Sequence, residues 1–447
     1  MNETGRGQWQ TRMGFIAAAA GSAIGLGNIW RFPYITGRYG GGAFVLIYIL
    51  LLIFVGYPVM NSELLLGRKT ERNPVGAFRM LSPGSPWVLV GYMGVLAGFV
   101  ILSYYSVVAG WALSYVFKSG AYMAAGADSA NIFVSSISST AGGIFWHTLF
   151  MAICIAIVAG GVERGIERWS KILMPVLLVL LIILIIRSVT LPGAGGGLSF
   201  YLRPDFSKFS GEGFLAALGQ VFFTLSLGMG CMITYGSYLK KDEDIPLDAK
   251  YVVGADTLIA LLAGFVIFPA VFAFGLEPAA GPGLTFITLP AVFAKMGAAG
   301  HIFGIIFFAL LTIAALTSAI SLLEVVAAYF IDEIKWDRKK ATVGMGIAIW
   351  LLGILPSLGY STLSNVKLIK GMDILDSFDF FANNVLLPLG GLLTALFIGW
   401  FWGTDKALEE VNHGAGTKLG SSYSFLIKYV VPIAIFIVFL NSVGLLG

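Results

Sequence analysis

The chain has 447 residues, of which 57% are hydrophobic, 14% aromatic and only 12% charged, and its net charge is +4. A water-soluble domain carries about 25% charged residues, so this composition excludes one and points to a polytopic membrane protein. A net charge this small gives no reason to expect a nucleic-acid partner, and the distribution of the charges is more informative than their sum.

Residues 1–13 are polar and basic, and the apolar stretch behind them is too long for a signal-peptide core, so no removable leader is expected. Runs of about 20 apolar residues, enough to cross a bilayer as helix, number eleven. They cover 11–37, 41–67, 88–117, 143–160, 169–187, 214–239, 251–276, 301–331, 341–357, 379–402 and 424–446. Arg6 and Arg12 precede the first run. The loops on that side carry Arg68, Lys69, Arg72 and Arg79, then Arg164, Arg168 and Lys171, then Lys240, Lys241 and Lys250, then Lys335, Arg338, Lys339 and Lys340. The opposite loops are poor in basic residues, so the positive-inside rule puts the N-terminus in the cytoplasm and the C-terminus outside.

The first run contains GSAIGLGNIWRFPY, residues 21–34, with Gly21, Gly25 and Gly27 followed by Asn28, Arg31 and Pro33. An unpaired backbone group in hydrocarbon costs several kcal/mol, so an interrupted helix at this depth must be covered by protein, line a cavity or bind something. In the fifth run Gly165 and Pro175 bracket a charged turn, and Pro175 frees the carbonyl of Lys171. The bland reading is a kink; the sharper one is a helix end that unwinds to let water in from the cytoplasm. Residues 188–213, with the run GAGGG, read as an extended loop with short turns. Residues 278–299 are apolar but too short and Pro-broken to span, and read as a re-entrant or surface hairpin able to act as a lid.

A second interruption lies in the sixth run, where Thr224, Ser226, Gly228 and Gly230 fall at mid-membrane. Two broken segments, each opening a five-helix half, form the pattern of an inverted-repeat transporter. Glycines that merely let helices approach are the simpler explanation of Gly228 and Gly230 alone; the Gly, Ser, Thr and Asn combination in both halves tips the balance. A broken helix presents carbonyls that suit a small cation and amides that suit a carboxylate. Carbonyls around Gly21, Ala23 and Ile24, with the Asn28 side chain, would face Na⁺, and amides near Leu26 and Gly27 an anionic group. An amino acid accompanied by sodium fits both. Among polar residues within the runs, Glu63 reads as interfacial, Asp256 as a functional candidate, and Thr317, Ser318 and Ser321 as hydroxyls that more often bond their own helix. Cys154 and Cys231 suggest neither disulfide nor CxxC site. His147, His301 and His413 read as segment-end or loop residues rather than ligands.

GSAIGLGNIWRFPY, GGAF at 41–44, FTLSLGMG at 223–230 and ALTSAIS at 315–321 together resemble the neurotransmitter:sodium symporters, the family with the LeuT fold, over nearly the whole chain. Within it the chain is most similar to bacterial eleven-helix amino-acid transporters. The resemblance implies one all-α transporter domain, 1–447: a 5+5 inverted repeat (11–187 and 214–402) with broken first and sixth helices, plus an additional helix, 424–446. It implies two sodium ions. One would be held by the Ala23 carbonyl, Asn28, Thr224, Asp256 and the substrate carboxylate, the other by the carbonyls of Gly21, Ile24 and Ala314 and the hydroxyls of Thr317 and Ser318. Substrate contacts would be Leu26, Gly27, Ile101, Tyr105, Phe223, Thr224, Ser226, Met229, Ser318 and Leu322. Arg31 and Asp379 would form an outer gate, with Arg6, Trp9 and Asp332 holding an inner one.

The departures carry information. Amine-carrying members have Asp where this chain has Gly25, which argues for an α-amino acid. Met229, with Ile101 and Leu322, implies a roomy apolar pocket for aliphatic and aromatic side chains. Asp256 stands where many members have Asn, so its charge could replace the chloride that animal members need, and could take up a proton after sodium leaves. The expectation is Na⁺-coupled import of hydrophobic L-amino acids across a bacterial plasma membrane, by a monomer or weak homodimer in contact with membrane lipid. A proton-coupled transporter of the same fold is the alternative, against which Thr317 and Ser318 argue. An intramembrane enzyme is disfavoured, because neither HExxH, paired catalytic carboxylates nor a Ser/His/Asp arrangement is present.

Overall fold

A computed structural model describes residues 7–122, 128–276 and 283–445. Among them the chain is helical throughout, without a strand, and Gly41 and Pro204 form one isolated bridge. Among the described residues, nine helices are long and apolar enough to cross a membrane. These are α3 (Gly42–Thr70), α4 (Val88–Gly120), α5 (Thr140–Ala159), α6 (Val162–Val189), α9 (Ile245–Ala273), α10 (Ala299–Asp332), α11 (Arg338–Leu358), α12 (Ile374–Val411) and α13 (Ser421–Ser442). A bent pair, α1 (Arg12–Ala23) and α2 (Gly27–Arg38), meets at 49°. A second interrupted segment is formed by α7 (Gly211–Thr224) and α8 (Cys231–Gly236). Counted as one crossing each, the two broken segments make the fold consistent with the eleven runs expected from sequence.

Local chemistry fixes the ends. Thr11 accepts from the Gly14 amide and starts α1, Asp244 accepts from Leu247 at 3.0 Å and starts α9, and Asp337 accepts from Lys340 at 3.0 Å and starts α11. Each satisfies an amide that the first turn leaves orphaned. Between helices, small residues let backbones touch. A Cβ added at Gly67 in α3 would lie 2.0 Å from the Ile233 carbonyl oxygen, and one at Gly236 in α8 would lie 2.4 Å from that of Leu64. The pair α4 and α10 makes the most extensive helix contact and flanks both interrupted segments.

Three expectations change here. Residues 188–213 are not an extended loop: Ala194–Leu202 is a helix, because Tyr201 is buried against α9, stacks on Phe268 and donates to the Leu261 carbonyl at 2.9 Å. Tertiary packing of that kind overrides the poor helix propensity of three consecutive glycines. His147 is not a loop residue; it lies fully buried within α5, with Nε2 3.1 Å from the Trp350 carbonyl. Glu63 is likewise buried rather than interfacial, as described below. The proposed hairpin at 278–299 is seen in part as the short apolar helix Leu284–Lys295, whose Phe286 packs on Trp30 and Trp111; residues 278–282 lie outside the described ones.

Candidate functional site

The break in the first segment begins where Ile24 turns out of helical geometry (φ −75°, ψ 99°). Asn28 closes it locally. Its Oδ1 accepts the Gly25 amide at 3.0 Å, while its Nδ2 donates to Asp256 Oδ1 at 2.7 Å and to the Asp256 carbonyl at 3.1 Å. From the second break Thr224 Oγ1 donates to the same carboxylate oxygen at 3.0 Å. Asp256, Asn28 and Thr224 are all buried, and among the described residues Asp256 Oδ2 has no hydrogen-bond partner. A buried anionic oxygen left in that state is costly, and a cation would satisfy it. The donor set of carboxylate, amide and hydroxyl is that of a hard ion.

A second set of oxygens gathers where α10 meets the first break. Thr317 Oγ1 lies 3.0 Å from the Ala314 carbonyl and 3.4 Å from that of Ile24. Ser318 Oγ lies 3.4 Å from the Ala314 carbonyl and 3.0 Å from that of Ser22. Gly21 faces Thr317 so closely that an added Cβ would come within 3.2 Å of Thr317 Cβ. Among the described residues no group of three His, Cys, Asp or Glu side chains could hold a metal.

The second break is held open by backbone that helices do not use. Ser226, Gly228 and Gly230 all have positive φ, at 54°, 78° and 76°. Such a conformation strains serine and persists because its groups are bonded elsewhere. Ser226 Oγ donates to the Ser22 carbonyl at 2.9 Å, and the Gly228 amide donates to Glu63 Oε1 at 2.7 Å. Glu63 thus stabilises the break from α3. Ser22, whose hydroxyl bonds Ser321 at 2.7 Å and Ser226 at 3.2 Å, joins both breaks to α10. Neither role was read from sequence, where both residues carry only a generic polar signal.

Between the breaks lies a small cavity. Ile101, Phe223, Met229 and Leu322 give it an apolar wall, and Tyr105, Ser226 and Ser318 a polar one, with Gly27 at its edge. Of the substrate contacts expected from sequence, Leu26 instead lines the neighbouring cavity, and Thr224 is engaged with Asp256. Tyr105 Oη accepts the Leu26 amide at 3.2 Å. A Cβ at Gly25 would fall 2.4 Å from Ser318 Oγ and 2.9 Å from Tyr105 Oη, so no side chain fits there without displacing them.

Phe223 separates this cavity from a second one of about 270 Å³, lined by Trp30, Arg31, Tyr104, Asp376 and Asp379. The Arg31 guanidinium lies 4.8 Å from the Phe223 ring centroid, and Asp379 accepts from Asn383 at 2.6 Å; among the described residues Arg31 and Asp379 form no ion pair. On the face that carries the N-terminus the packing is tight. Trp9 is buried, with Nε1 donating to the Tyr235 carbonyl at 3.0 Å and its amide to that of Tyr238 at 3.3 Å. Asp332 accepts from the Asn73 amide at 2.9 Å. Arg6 lies outside the described residues. Gly165 sits in a π-wound turn, Val162–Glu167, and the helix runs unbroken through Pro175.

A model of the Sodium:neurotransmitter symporter family matches residues 6–136 and 127–446. The uncharacterized sodium-dependent transporter YhdH of Bacillus subtilis is 43% identical over 452 residues, covering 100% of both chains. An uncharacterized sodium-dependent transporter of Haemophilus influenzae is 39% identical, with 99% of each chain covered. Among solved structures, the crystal structure of MhsT in complex with L-phenylalanine shares 50% identity and a TM-score of 0.91, covering 98% of this chain and 100% of that one.

Proposed function

This chain belongs to the sodium:neurotransmitter symporter family, and we propose that it imports hydrophobic L-amino acids, aliphatic and aromatic, together with two sodium ions by alternating access. The observation that carries the reading is the buried Asp256 carboxylate, bonded to Asn28 of one break and Thr224 of the other, with one oxygen unpartnered. A sodium ion there would be held by Asp256, Asn28, Thr224 and the Ala23 carbonyl, and would draw the substrate carboxylate into its shell. A second ion would take the carbonyls of Gly21, Ile24 and Ala314 and the hydroxyls of Thr317 and Ser318. Ion and substrate then bind better together than apart, which is a direct coupling free energy.

Gly25 supports an amino acid over an amine, since the space that a carboxylate side chain would need is filled by Ser318 and Tyr105. Ile101, Met229 and Leu322 supply an apolar surface for the side chain, and the relative MhsT was crystallised with L-phenylalanine. The charge of Asp256 makes chloride unnecessary and gives a proton somewhere to bind once sodium has left. Segments 11–187 and 214–402 act as the inverted repeats that rock about the site, with Arg31 and Asp379 gating the outer path and Trp9, Asp332 and Arg6 the inner one. Gly165 and Pro175 mark the helix that unwinds on the inner side. The chain lies in a bacterial plasma membrane with its N-terminus in the cytoplasm and its C-terminus outside. Equilibrium binding of radiolabelled leucine, tryptophan and phenylalanine to the purified protein, with and without Na⁺, tests this; binding that ignores sodium would sink the proposal.

A further inference from the structure

We propose that Glu167 is a positioning residue for alternating access: its carboxylate ties the start of α1 to the start of α6, and the N-terminal face opens only when that tie is released. The inference rests on the transport reading above. Glu167 is 1% exposed. Its Oε2 accepts the Gln10 amide at 2.8 Å, and its Oε1 accepts the Thr11 hydroxyl at 2.9 Å and the Lys171 ammonium at 2.6 Å. Thr11 in turn caps α1 by accepting the Gly14 amide at 3.0 Å. The carboxylate therefore satisfies amide and hydroxyl donors at the first turn of α1, and its charge sits at the positive end of that helix. Charge-assisted bonds of this kind are about twice as strong as neutral ones.

The contact is built for closeness. A Cβ at Gly14 would fall 2.1 Å from Glu167 Oε1, so glycine there is what lets the carboxylate reach. One turn earlier Glu163 takes a hydrogen bond from the Gln10 side chain. The next basic residue, Arg12, points away to Asp248 at 2.6 Å, which leaves Lys171 as the cation on this carboxylate. Two carboxylates on successive turns thus grip residues 10 and 11.

That turn departs from regular α-helix geometry. Residues 162–167 are π-wound, and Pro175 cannot donate to the carbonyl of Lys171. The Glu167–Lys171 pair is an i,i+4 contact, so it exists only while residues 167–171 are helical. Unwinding there would carry Glu167 off Thr11 and Gln10 and free the start of α1. Winding and closure become one event.

Cys231 is a native reporter. It is fully buried at the second break, beside Ser22 of α1 and Ser321 of α10. In a Cys154→Ser background, reaction of Cys231 with a membrane-impermeant maleimide reads that opening. Glu167→Gln should speed labelling about tenfold in sodium-free buffer, as expected for loss of charge-assisted bonds, and Na⁺ with leucine should suppress the gain. Thr11→Val and Gly14→Ala, which keep the carboxylate, should shift labelling in the same direction by less, so the test survives if Glu167→Gln does not fold. Unchanged labelling in these variants, with wild-type sodium-dependent binding intact, overturns the inference alone. Sodium-independent binding in the wild type overturns the transport reading instead.

Discussion

The face that carries residues 7–11 and the face opposite it are built from similar side chains held in different states. On the first, Arg12 pairs with Asp248, Lys171 with Glu167, Arg338 with Glu324 and Arg68 with Glu410, at 2.6 to 3.0 Å, and Trp9 is clamped onto Tyr235 and Tyr238. On the second, Arg31 and Asp379 share a cavity of about 270 Å³ without pairing, and a phenylalanine rather than an ion pair stands between that cavity and the smaller one below. Opening the first face would separate pairs in which Asp248, Glu167, Arg68 and Glu324 are buried although Arg12 and Lys171 reach solvent, whereas on the second face a swing of Phe223 would join the two cavities. Ion pairing is therefore concentrated on the N-terminal face, and the proposed transport cycle would meet its larger electrostatic cost there.

Arg338→Ala should show the largest effect on that asymmetry. Glu324 is fully buried, accepts both Arg338 guanidinium nitrogens at 2.8 Å and takes the Tyr238 hydroxyl at 2.5 Å. Removing the arginine leaves a buried carboxylate without its counter-charge, at about 3–5 kcal/mol. The thermal midpoint should drop, and sodium-dependent substrate affinity with it, because the closed face is part of the binding-competent state. An unchanged midpoint would mean that the pair does not hold the face shut.

Asp256→Asn comes next. It removes the charge but keeps an oxygen for Asn28 or Thr224, and sodium affinity should fall about 10- to 100-fold, the loss of one charged hydrogen-bonding partner. Added chloride should restore part of it. A variant that needs no chloride would show that the Asp256 charge is not what replaces the anion.

The spans were legible because a bilayer demands long apolar runs, but polar helix ends were not: the runs at 169–187, 251–276 and 379–402 lie within the longer helices Val162–Val189, Ile245–Ala273 (whose C-terminal end falls three residues short of its run) and Ile374–Val411. The first break was legible as well, since Gly21, Gly25, Gly27 and Asn28 have no other reason to crowd one run. What could not be read are contacts whose partners lie far apart in the chain. Glu63 is separated by 165 residues from the Gly228 amide it accepts, and Ser22 by 299 from Ser321. A lone carboxylate or serine in an apolar run gives no hint of its partner. The Ala194–Leu202 helix was missed for a related reason: its stability comes from Tyr201 on α9, not from its own glycine-rich sequence.

Tyr105→Phe probes the site between the two faces. Its hydroxyl accepts the Leu26 amide, and in the proposed complex it meets the substrate carboxylate. Its loss should weaken leucine binding about tenfold, the scale of one hydrogen bond, while sodium binding in the absence of substrate stays near wild type. Equal losses of both would mean that the hydroxyl supports the break rather than the ligand.

Arg31→Gln should have the smallest effect, and it tests the comparison from its weak side. Arg31 is partly exposed, lies over Phe223 and, among the described residues, forms no ion pair, so what it contributes is a cation–π contact of about 0.5–1 kcal/mol. Phe223 should then swing more easily, and labelled leucine should leave roughly two- to fivefold faster, with sodium affinity and thermal midpoint unchanged. If Arg31→Gln instead cost as much as Arg338→Ala, the arginine would be acting through a pair with Asp379 formed during transport. Closing the outer face would then be as electrostatic an event as opening the inner one, and the asymmetry would belong to this one conformation rather than to the cycle.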